Sequence, residues 1–160
     1  MNSFTELLTS FADAVQGNHG RRLAMLFTKD GIYEDGFFGS HVGRSAIAAM
    51  LQRFHDTGAN YSWEFADPVS DGVLGYARFL FSYTSRLPES QGCPVLFEGI
   101  SRFQFRDGLI ARYSEAFDRG VALVQLGFPA DRIKRVLEKT AAAQNQLPEA
   151  GRHLGRFSSG

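Results

Sequence analysis

The feature of this sequence that most constrains its fold is a change in the spacing of apolar residues near residue 60. Before that point apolar residues recur every three or four positions, which is typical of amphipathic helices. After it apolar and polar residues alternate, as in Tyr61, Trp63 and Phe65, which is typical of half-buried strands. Helices that precede a run of antiparallel strands predict an α+β fold with the helices on one face of the sheet.

Local signals set the bounds of the predicted elements. Ser3 and Glu6 form a capping box that starts the first helix, and Gly17 ends it. The dipeptide Asp107-Gly108 predicts a hairpin turn. The predicted elements are helices at 4–17, 21–27, 44–58, 121–126 and 129–144, and strands at 32–35, 61–65, 73–86, 94–106 and 109–117, with breaks at 29–31, 36–43, 68–72 and 87–92.

Three helices packed inside a strongly curved, mostly antiparallel sheet form a cone with a cavity at its mouth. A cavity of this kind is where a small molecule binds. A chain of 160 residues suits one domain, and its 15 Phe supply enough aromatic surface to line both a core and a pocket. The sequence therefore predicts one cone-shaped domain that encloses an apolar pocket.

Charge and cysteine content exclude several classes of function. Lys and Arg together number 17, as do Asp and Glu, and no basic stripe is visible, so no nucleic acid and no membrane is expected as a partner. With a single cysteine, Cys93, and four His without metal-site spacing, neither a metal nor another cofactor is expected. Because no signal-peptide pattern and no apolar run of about 18 residues occurs, we expect a cytoplasmic protein.

Several motifs resemble the nuclear-transport-factor-2-like superfamily, in its SnoaL-like and ketosteroid-isomerase-like branch. DGIYED at 30–35 and GRSAI at 43–47 are similar to the opening of that fold, and FQFRDGLI at 103–110 is similar to its last hairpin. EAFD at 115–118, followed by QLG at 125–127, resembles the ending of SnoaL-like members.

This resemblance implies a cystatin-like cone over residues 1–128. A C-terminal helical extension is then expected at 129–145, and a tail without regular structure at 146–160. The superfamily includes ketosteroid isomerases, polyketide cyclases, epoxide hydrolases, dehydratases and proteins without known catalysis. The resemblance therefore predicts a pocket, and the reaction must be argued from the residues in it.

The resemblance places Asp35 at the catalytic base of ketosteroid isomerases. A carboxylate at the mouth of an apolar pocket suits removal of a proton beside a carbonyl, because desolvation raises its pKa toward the working pH. The other interpretation is structural, since Asp and Gly favour turns and Asp35 can cap the loop that follows it.

The resemblance to ketosteroid isomerases is incomplete at the oxyanion hole. The Tyr and the protonated Asp that form that hole fall on Phe11 and Ser101 here. Phe donates no hydrogen bond, and Ser is a weaker, neutral donor. Since loss of one such donor can cost about a hundredfold in rate, ordinary ketosteroid isomerase activity is not expected.

Glu115 is the second candidate catalytic residue. It matches the acid/base carboxylate of SnoaL-like cyclases, while Ser101 stands where those enzymes carry a His. Glu115 and Tyr113 share one strand face, because side chains two residues apart point the same way. The alternative is an ion pair with an arginine of the sheet. The candidates for that pair are Arg78, Arg102 and Arg112.

Asp35 and Glu115 are thus the predicted catalytic residues of one pocket for a small apolar molecule. The residues expected to contact that molecule are Phe11, Tyr33, Met50, Phe54, Trp63, Phe79, Ser101, Phe103 and Tyr113. An enzyme of this kind would be an isomerase, cyclase or hydratase acting on a carbonyl, enol or epoxide compound. The second hypothesis is a non-catalytic dimeric module that binds such a molecule or serves as a scaffold.

The outer face of the sheet predicts the oligomeric state. One sheet face must cover the helices, and the other mixes apolar side chains with arginines. Its residues are Leu74, Tyr76, Arg78, Leu80, Ile100, Arg102 and Ile110. A half-apolar face of this kind suits an isologous homodimer, and the family resemblance implies the same.

Overall fold

The computed structural model describes residues 3–155, and in this range it contains six α-helices and six β-strands. The helices are α1 (Phe4–Gln16), α2 (Gly20–Met25), α3 (Arg44–Thr57), α4 (Arg119–Gln125), α5 (Ala130–Gln144) and α6 (Ala150–Leu154). The strands are β1 (Phe27–Asp35), β2 (Gly39–Val42), β3 (Gly58–Ser70), β4 (Leu74–Ser85), β5 (Pro94–Arg106) and β6 (Leu109–Phe117). None of these helices is long and apolar enough to cross a membrane.

The six strands form one curved, unclosed sheet in the order β2-β1-β6-β5-β4-β3. Neighbouring strands are antiparallel except β1 and β6, which run parallel. The helices pack against this sheet, so the predicted α+β architecture is confirmed. The parallel pair matters for function, because it brings the end of β1 beside the end of β6 although the two lie far apart in the sequence.

The core lies between α1 and the concave face of the sheet. The predicted capping box is confirmed: the Glu6 amide donates to Ser3 Oγ over 3.2 Å, and the Ser3 amide donates to Glu6 Oε2 over 2.7 Å. The capped helix buries one face, at whose centre Phe11 is fully buried. Its ring contacts five aromatic residues of the sheet. These are Tyr33, Trp63, Phe65, Phe103 and Tyr113.

Strand β1 is longer than predicted, because a bulge keeps the expected turn at 29–31 inside the strand. The pairing of β1 with β6 changes register between Phe27 and Ile32. A β-bulge of this kind accommodates extra residues without ending a strand. The expected loop at 36–43 also contains β2, which pairs with β1 through Tyr33 and His41.

Strand β3 continues through Pro68 to Ser70, where a break was predicted. Proline removes a donor, and this is tolerated on edge strands. β3 is the edge of the sheet, and its register with β4 shifts between Ala66 and Val69. Asp67, inside that shift, has a φ of 53°, which is typical of a bulge.

Two further expectations need correction. Ile110, expected on the outer face, is fully buried, because a register shift between Gln104 and Phe105 turns Ile110 and Tyr113 to the same side. The tail expected to lack regular structure contains α6, whose turns are closed by backbone bonds from Ala150 to Leu147 and from Arg152 to Glu149. Residues 156–160 of that tail lie outside the described residues.

Candidate functional site

A cavity of about 360 Å³ lies between the concave face of the sheet and the segment that contains α4 and α5. Twelve of the residues that line it are aromatic: Tyr33, Phe37, Phe38, Phe54, Tyr61, Trp63, Phe79, Phe81, Tyr83, Phe97, Phe117 and Phe128. The other lining residues are Asp35, Thr57, Leu87, Glu115, Leu123, Leu126, Arg132 and Val136. This is the composition of a site for a mainly apolar small molecule with few orienting polar groups.

Asp35 and Glu115 both line this cavity, and the parallel pairing of β1 with β6 explains why. Tyr33 of β1 lies opposite Tyr113 of β6, with ring centroids 4.7 Å apart. Two residues further along each strand, the side chains return to the same face. Asp35 and Glu115 therefore project side by side from adjacent strand ends.

Glu115 is held by a chain of hydroxyl groups. Tyr113 Oη donates to Glu115 Oε1 over 2.9 Å, and Tyr33 Oη donates to the same oxygen over 3.4 Å. Ser101 Oγ lies 2.9 Å from Tyr113 Oη, and it donates there when the Tyr113 hydroxyl donates to Glu115. Glu115 Oε2 accepts no hydrogen bond from residues 3–155.

Burial decides the protonation state of Glu115. Desolvation, with the nearby charge of Asp35, raises the pKa of Glu115 from 4.5 to about 8. The two phenol bonds and the charge of Arg119 act in the opposite direction without cancelling it. No Arg pairs with Glu115 in the described chain: Arg112 pairs with Glu34 instead. Glu115 is therefore mostly protonated at neutral pH.

Asp35 has a different environment from Glu115. Its Oδ1 accepts the backbone N–H groups of Phe37 and Phe38, both over 2.7 Å, so it does cap the turn that follows β1. Desolvation raises its pKa, while these two bonds and the charges of His41 and Arg119 oppose the rise. Because backbone donors favour the carboxylate form, Asp35 ionises before Glu115. The capping role and a place in the cavity are thus compatible.

A family model described as a SnoaL-like domain matches residues 8–113, from α1 to the middle of β6. The chain belongs to the SnoaL-like domain family. None of the curated proteins compared with the chain matches it.

Three solved structures illustrate the fold of this SnoaL-like protein. A protein with a ketosteroid-isomerase-like fold from Catenulispora acidiphila, in complex with trimethylamine, has a TM-score of 0.71 at 22% sequence identity, and the match covers 81% of this chain and 98% of that chain. A protein proposed to be a SnoaL-like polyketide cyclase, from Shewanella putrefaciens, has a TM-score of 0.68 at 16% sequence identity, and the match covers 79% of this chain and 98% of that chain. An epoxide hydrolase from M. tuberculosis has a TM-score of 0.62 at 18% sequence identity, and the match covers 76% of this chain and 82% of that chain. At these identities the likeness shows the fold alone.

Of the predicted ligand contacts, Tyr33, Phe54, Trp63 and Phe79 line the cavity of this SnoaL-like domain. The others lie outside it. Phe11 of α1, Met50 of α3 and Phe103 of β5 are buried in the core between these helices and the sheet, because the helices fill that end of the cone. Ser101 and Tyr113 are fully buried behind Glu115, so the Tyr113 hydroxyl orients that carboxyl group.

Most of the cavity walls were not predicted from the sequence. The alternation that marked Phe79 also places Phe81 and Tyr83 on the same face of β4, so this signal was available. Phe37 and Phe38 in the β1–β2 turn carried no such signal. Neither did the lining residues from α4, α5 and the turn between them, which are Leu123, Leu126, Phe128, Arg132 and Val136. The remaining unpredicted lining residues are Thr57, Tyr61, Leu87, Phe97 and Phe117.

No group of three or more His, Cys, Asp or Glu side chains that could hold a metal ion occurs within residues 3–155. His41 lies on β2 rather than in a loop, and its Nε2 is buried without a partner among these residues. Burial lowers the pKa of His41, so it is a neutral imidazole at neutral pH. Among the residues that line the cavity, the carboxyl groups are those of Asp35 and Glu115.

Proposed function

We propose that this SnoaL-like protein is a proton-transfer enzyme for a small, largely apolar carbonyl, enol or epoxide compound. Asp35 acts as the general base and protonated Glu115 as the general acid. The observation that carries the proposal is the placement of two carboxyl groups, side by side, in one aromatic cavity with different hydrogen-bond environments.

The two carboxyl groups suit opposite roles at neutral pH. Two backbone donors stabilise the ionised form of Asp35, so it can accept a proton from a substrate carbon or water. Glu115, with a pKa of about 8, retains its proton. Neighbouring carboxyl groups with separated pKa values are typical of acid–base pairs.

The phenols determine which oxygen of Glu115 faces the substrate. Tyr33 and Tyr113 both occupy Oε1, so the proton of the neutral acid resides on Oε2. From there it can be donated to a substrate oxygen on which negative charge develops. The aromatic walls exclude water, which strengthens that hydrogen bond. An apolar substrate body would be held by the same rings.

5-Nitrobenzisoxazole is a suitable probe, since it needs only a desolvated base. Removal of its ring C–H proton breaks the N–O bond and releases a coloured nitrophenolate. We expect turnover that rises with pH as Asp35 ionises, and Asp35→Asn should lower it at least about a hundredfold. Glu34→Gln is the matched control, because Glu34 is the adjacent residue on β1 and pairs with Arg112. Equal rates in Asp35→Asn and the wild type would contradict the proposal.

One observation favours the second candidate, a non-catalytic binder of apolar molecules. The phenols of Tyr33 and Tyr113 both donate to Glu115, so these two hydroxyl groups are not free to hold a substrate oxyanion. A binder predicts no turnover of the probe above that of Asp35→Asn. It also predicts that Asp35→Asn changes the affinity for an apolar fluorophore such as 1-aminoanthracene only modestly, so binding and rate together separate the two candidates.

A further inference from the structure

Arg119 lies where the two carboxylate-bearing strands end. It is the first residue of α4 and follows β6 after a single capping residue. Its guanidinium carbon lies 5.9 Å from the centroid of the Phe117 ring, and a Cβ added to Gly36 would lie 3.6 Å from its Nε. Phe117 follows Glu115 by two residues, and Gly36 follows Asp35 directly. The guanidinium therefore lies beside both strand ends.

Arg119 does not serve the helix that it begins. A cation in the first turn of a helix opposes the helix dipole, which favours negative charge there. Arg119 makes no salt bridge with any carboxylate in residues 3–155, and its buried Nε has no acceptor in that range. Because Nε of the half-buried Arg119 is withdrawn from water and a cation is stabilised by nearby negative charge, the adjacent carboxyl groups are the source of that charge that the structure offers.

Thr140 of α5 holds this guanidinium. Arg119 Nη1 donates to Thr140 Oγ1 over 3.0 Å, and Thr140 Oγ1 donates in turn to the backbone oxygen of Val136 over 3.3 Å. Val136 also lines the cavity. α5 has no fully buried residue, and it lies outside the residues that the SnoaL-like family model matches. Its docking therefore depends on a small number of contacts, of which this is one.

We propose that Arg119 is a positioning residue for the Asp35–Glu115 pair, and that its bond to Thr140 makes the docking of α5 part of the charge balance of the site. The positive charge favours the ionised form of Asp35 and limits the proton affinity of Glu115. The consequence for rate rests on the proposed function, whereas the consequence for protonation does not.

The other ionisable groups around the pair do not take this role. They are Tyr33, His41, Tyr83, Tyr113 and Arg132. The phenols are neutral, since burial raises the pKa of each. Burial lowers the pKa of His41, so its charge can favour the ionised form of Asp35 only at acid pH, whereas Arg119 is charged at every pH of interest. Arg132 is paired with Glu89 over 3.1 Å and stacks on Phe128 at 3.7 Å.

The test is a titration of the side-chain carboxyl carbons by NMR, with assignments from Asp35→Asn and Glu115→Gln. Arg119→Met removes the charge, Arg119→Lys keeps it, and Thr140→Val removes the hydroxyl with little change of shape. We expect Arg119→Met to raise both midpoints, that of Glu115 by roughly half a pH unit. In Arg119→Lys both midpoints should return most of the way to their wild-type values. Thr140→Val should raise both midpoints by less than Arg119→Met does.

Arg135→Met is the matched control, because Arg135 lies on α5 and pairs with Asp131 over 2.8 Å. It should leave both midpoints unchanged. The role of the charge would be overturned if Arg119→Met had the same midpoints as the wild type. It would also be overturned if Arg119→Met and Arg119→Lys shifted the midpoints equally. An Arg119→Met effect without any Thr140→Val effect would overturn the role of α5. If Arg119→Met does not fold, Arg119→Gln removes the charge in its place and is compared with Arg119→Lys in the same way. None of these titrations uses turnover, so their failure is distinct from failure of the proposed function.

Discussion

Replacement of Glu115 by Gln should make the protein more stable than the wild type at alkaline pH. The amide oxygen can still accept the hydroxyl protons of Tyr33 and Tyr113, but the side chain can no longer ionise. In the wild type the pKa of Glu115 is about 8, against 4.5 for an ordinary glutamate. The native state therefore keeps a proton that the unfolded chain loses first.

The sign and size of the effect follow from this difference. Between pH 4.5 and 8 the native state binds more protons than the unfolded state, so the wild-type free energy of unfolding falls as pH rises. The stabilisation from Glu115 is complete below pH 4.5 and lost above pH 8. At about 1.4 kcal/mol per pH unit, the full loss is on the order of 5 kcal/mol. The Gln variant does not suffer this loss.

The assay is urea unfolding of wild type and Glu115→Gln at about pH 5, 7 and 9. All other groups titrate in both proteins, so the difference between them isolates Glu115. We expect the stability of the variant relative to the wild type to rise by roughly 4 kcal/mol across that range. Glu64→Gln, an exposed carboxylate on β3, is the control and should give a constant difference. A constant difference for Glu115→Gln as well would refute the assignment of Glu115 as a neutral, buried acid.

Three further outcomes are expected. Tyr113→Phe removes the 2.9 Å bond to Glu115, which favours the carboxylate, so the pKa of Glu115 should rise further; a carboxyl titration by NMR measures this, and an unchanged midpoint would count against the bond. Gly99→Ala should lower the free energy of unfolding by about 1–3 kcal/mol in urea, because its Cβ would lie 2.5 Å from the backbone oxygen of Ala116; wild-type stability would show that β5 and β6 can separate there. The half-apolar outer face of the sheet should form a homodimer, and Leu80→Glu or Ile100→Glu should give monomers by light scattering; a wild-type monomer at micromolar concentration would contradict the dimer.

The sequence alone predicted the elements whose signals are local. α1, α3, β4, β5 and β6 follow from caps, turn dipeptides and apolar spacing, and each lies within a residue or two of its predicted bounds. Where pairing with another strand decides the backbone, local signals were not enough. The bulges near Asp30 and Asp67 keep β1 and β3 continuous through residues that favour turns. Pairing with the neighbouring strand resumes after each bulge, with β6 for β1 and with β4 for β3.

The two candidate catalytic residues came from the family resemblance and from strand spacing. That Asp35 and Glu115 share one cavity was decided by the parallel pairing of β1 with β6. This pairing joins segments about 80 residues apart in the sequence, so no local signal predicts it. The same strand pairing excludes an ion pair between Glu115 and Arg112, because Arg112 of β6 pairs with Glu34 of β1 instead.

The walls of the pocket show most clearly what tertiary structure adds. Phe11 and Phe103 are the same residue type as Phe37 and Phe128, and all four are apolar side chains that composition treats alike. Phe11 of α1 and Phe103 of β5 are fully buried against each other in the core, whereas Phe37 and Phe128 face the cavity. The hydrophobic effect depends on apolar area and has no direction, so it predicts that these rings leave water. Some of these rings pack against one another in the core, and others line the cavity. The difference depends on where the helices end inside the cone, which only the tertiary structure determines.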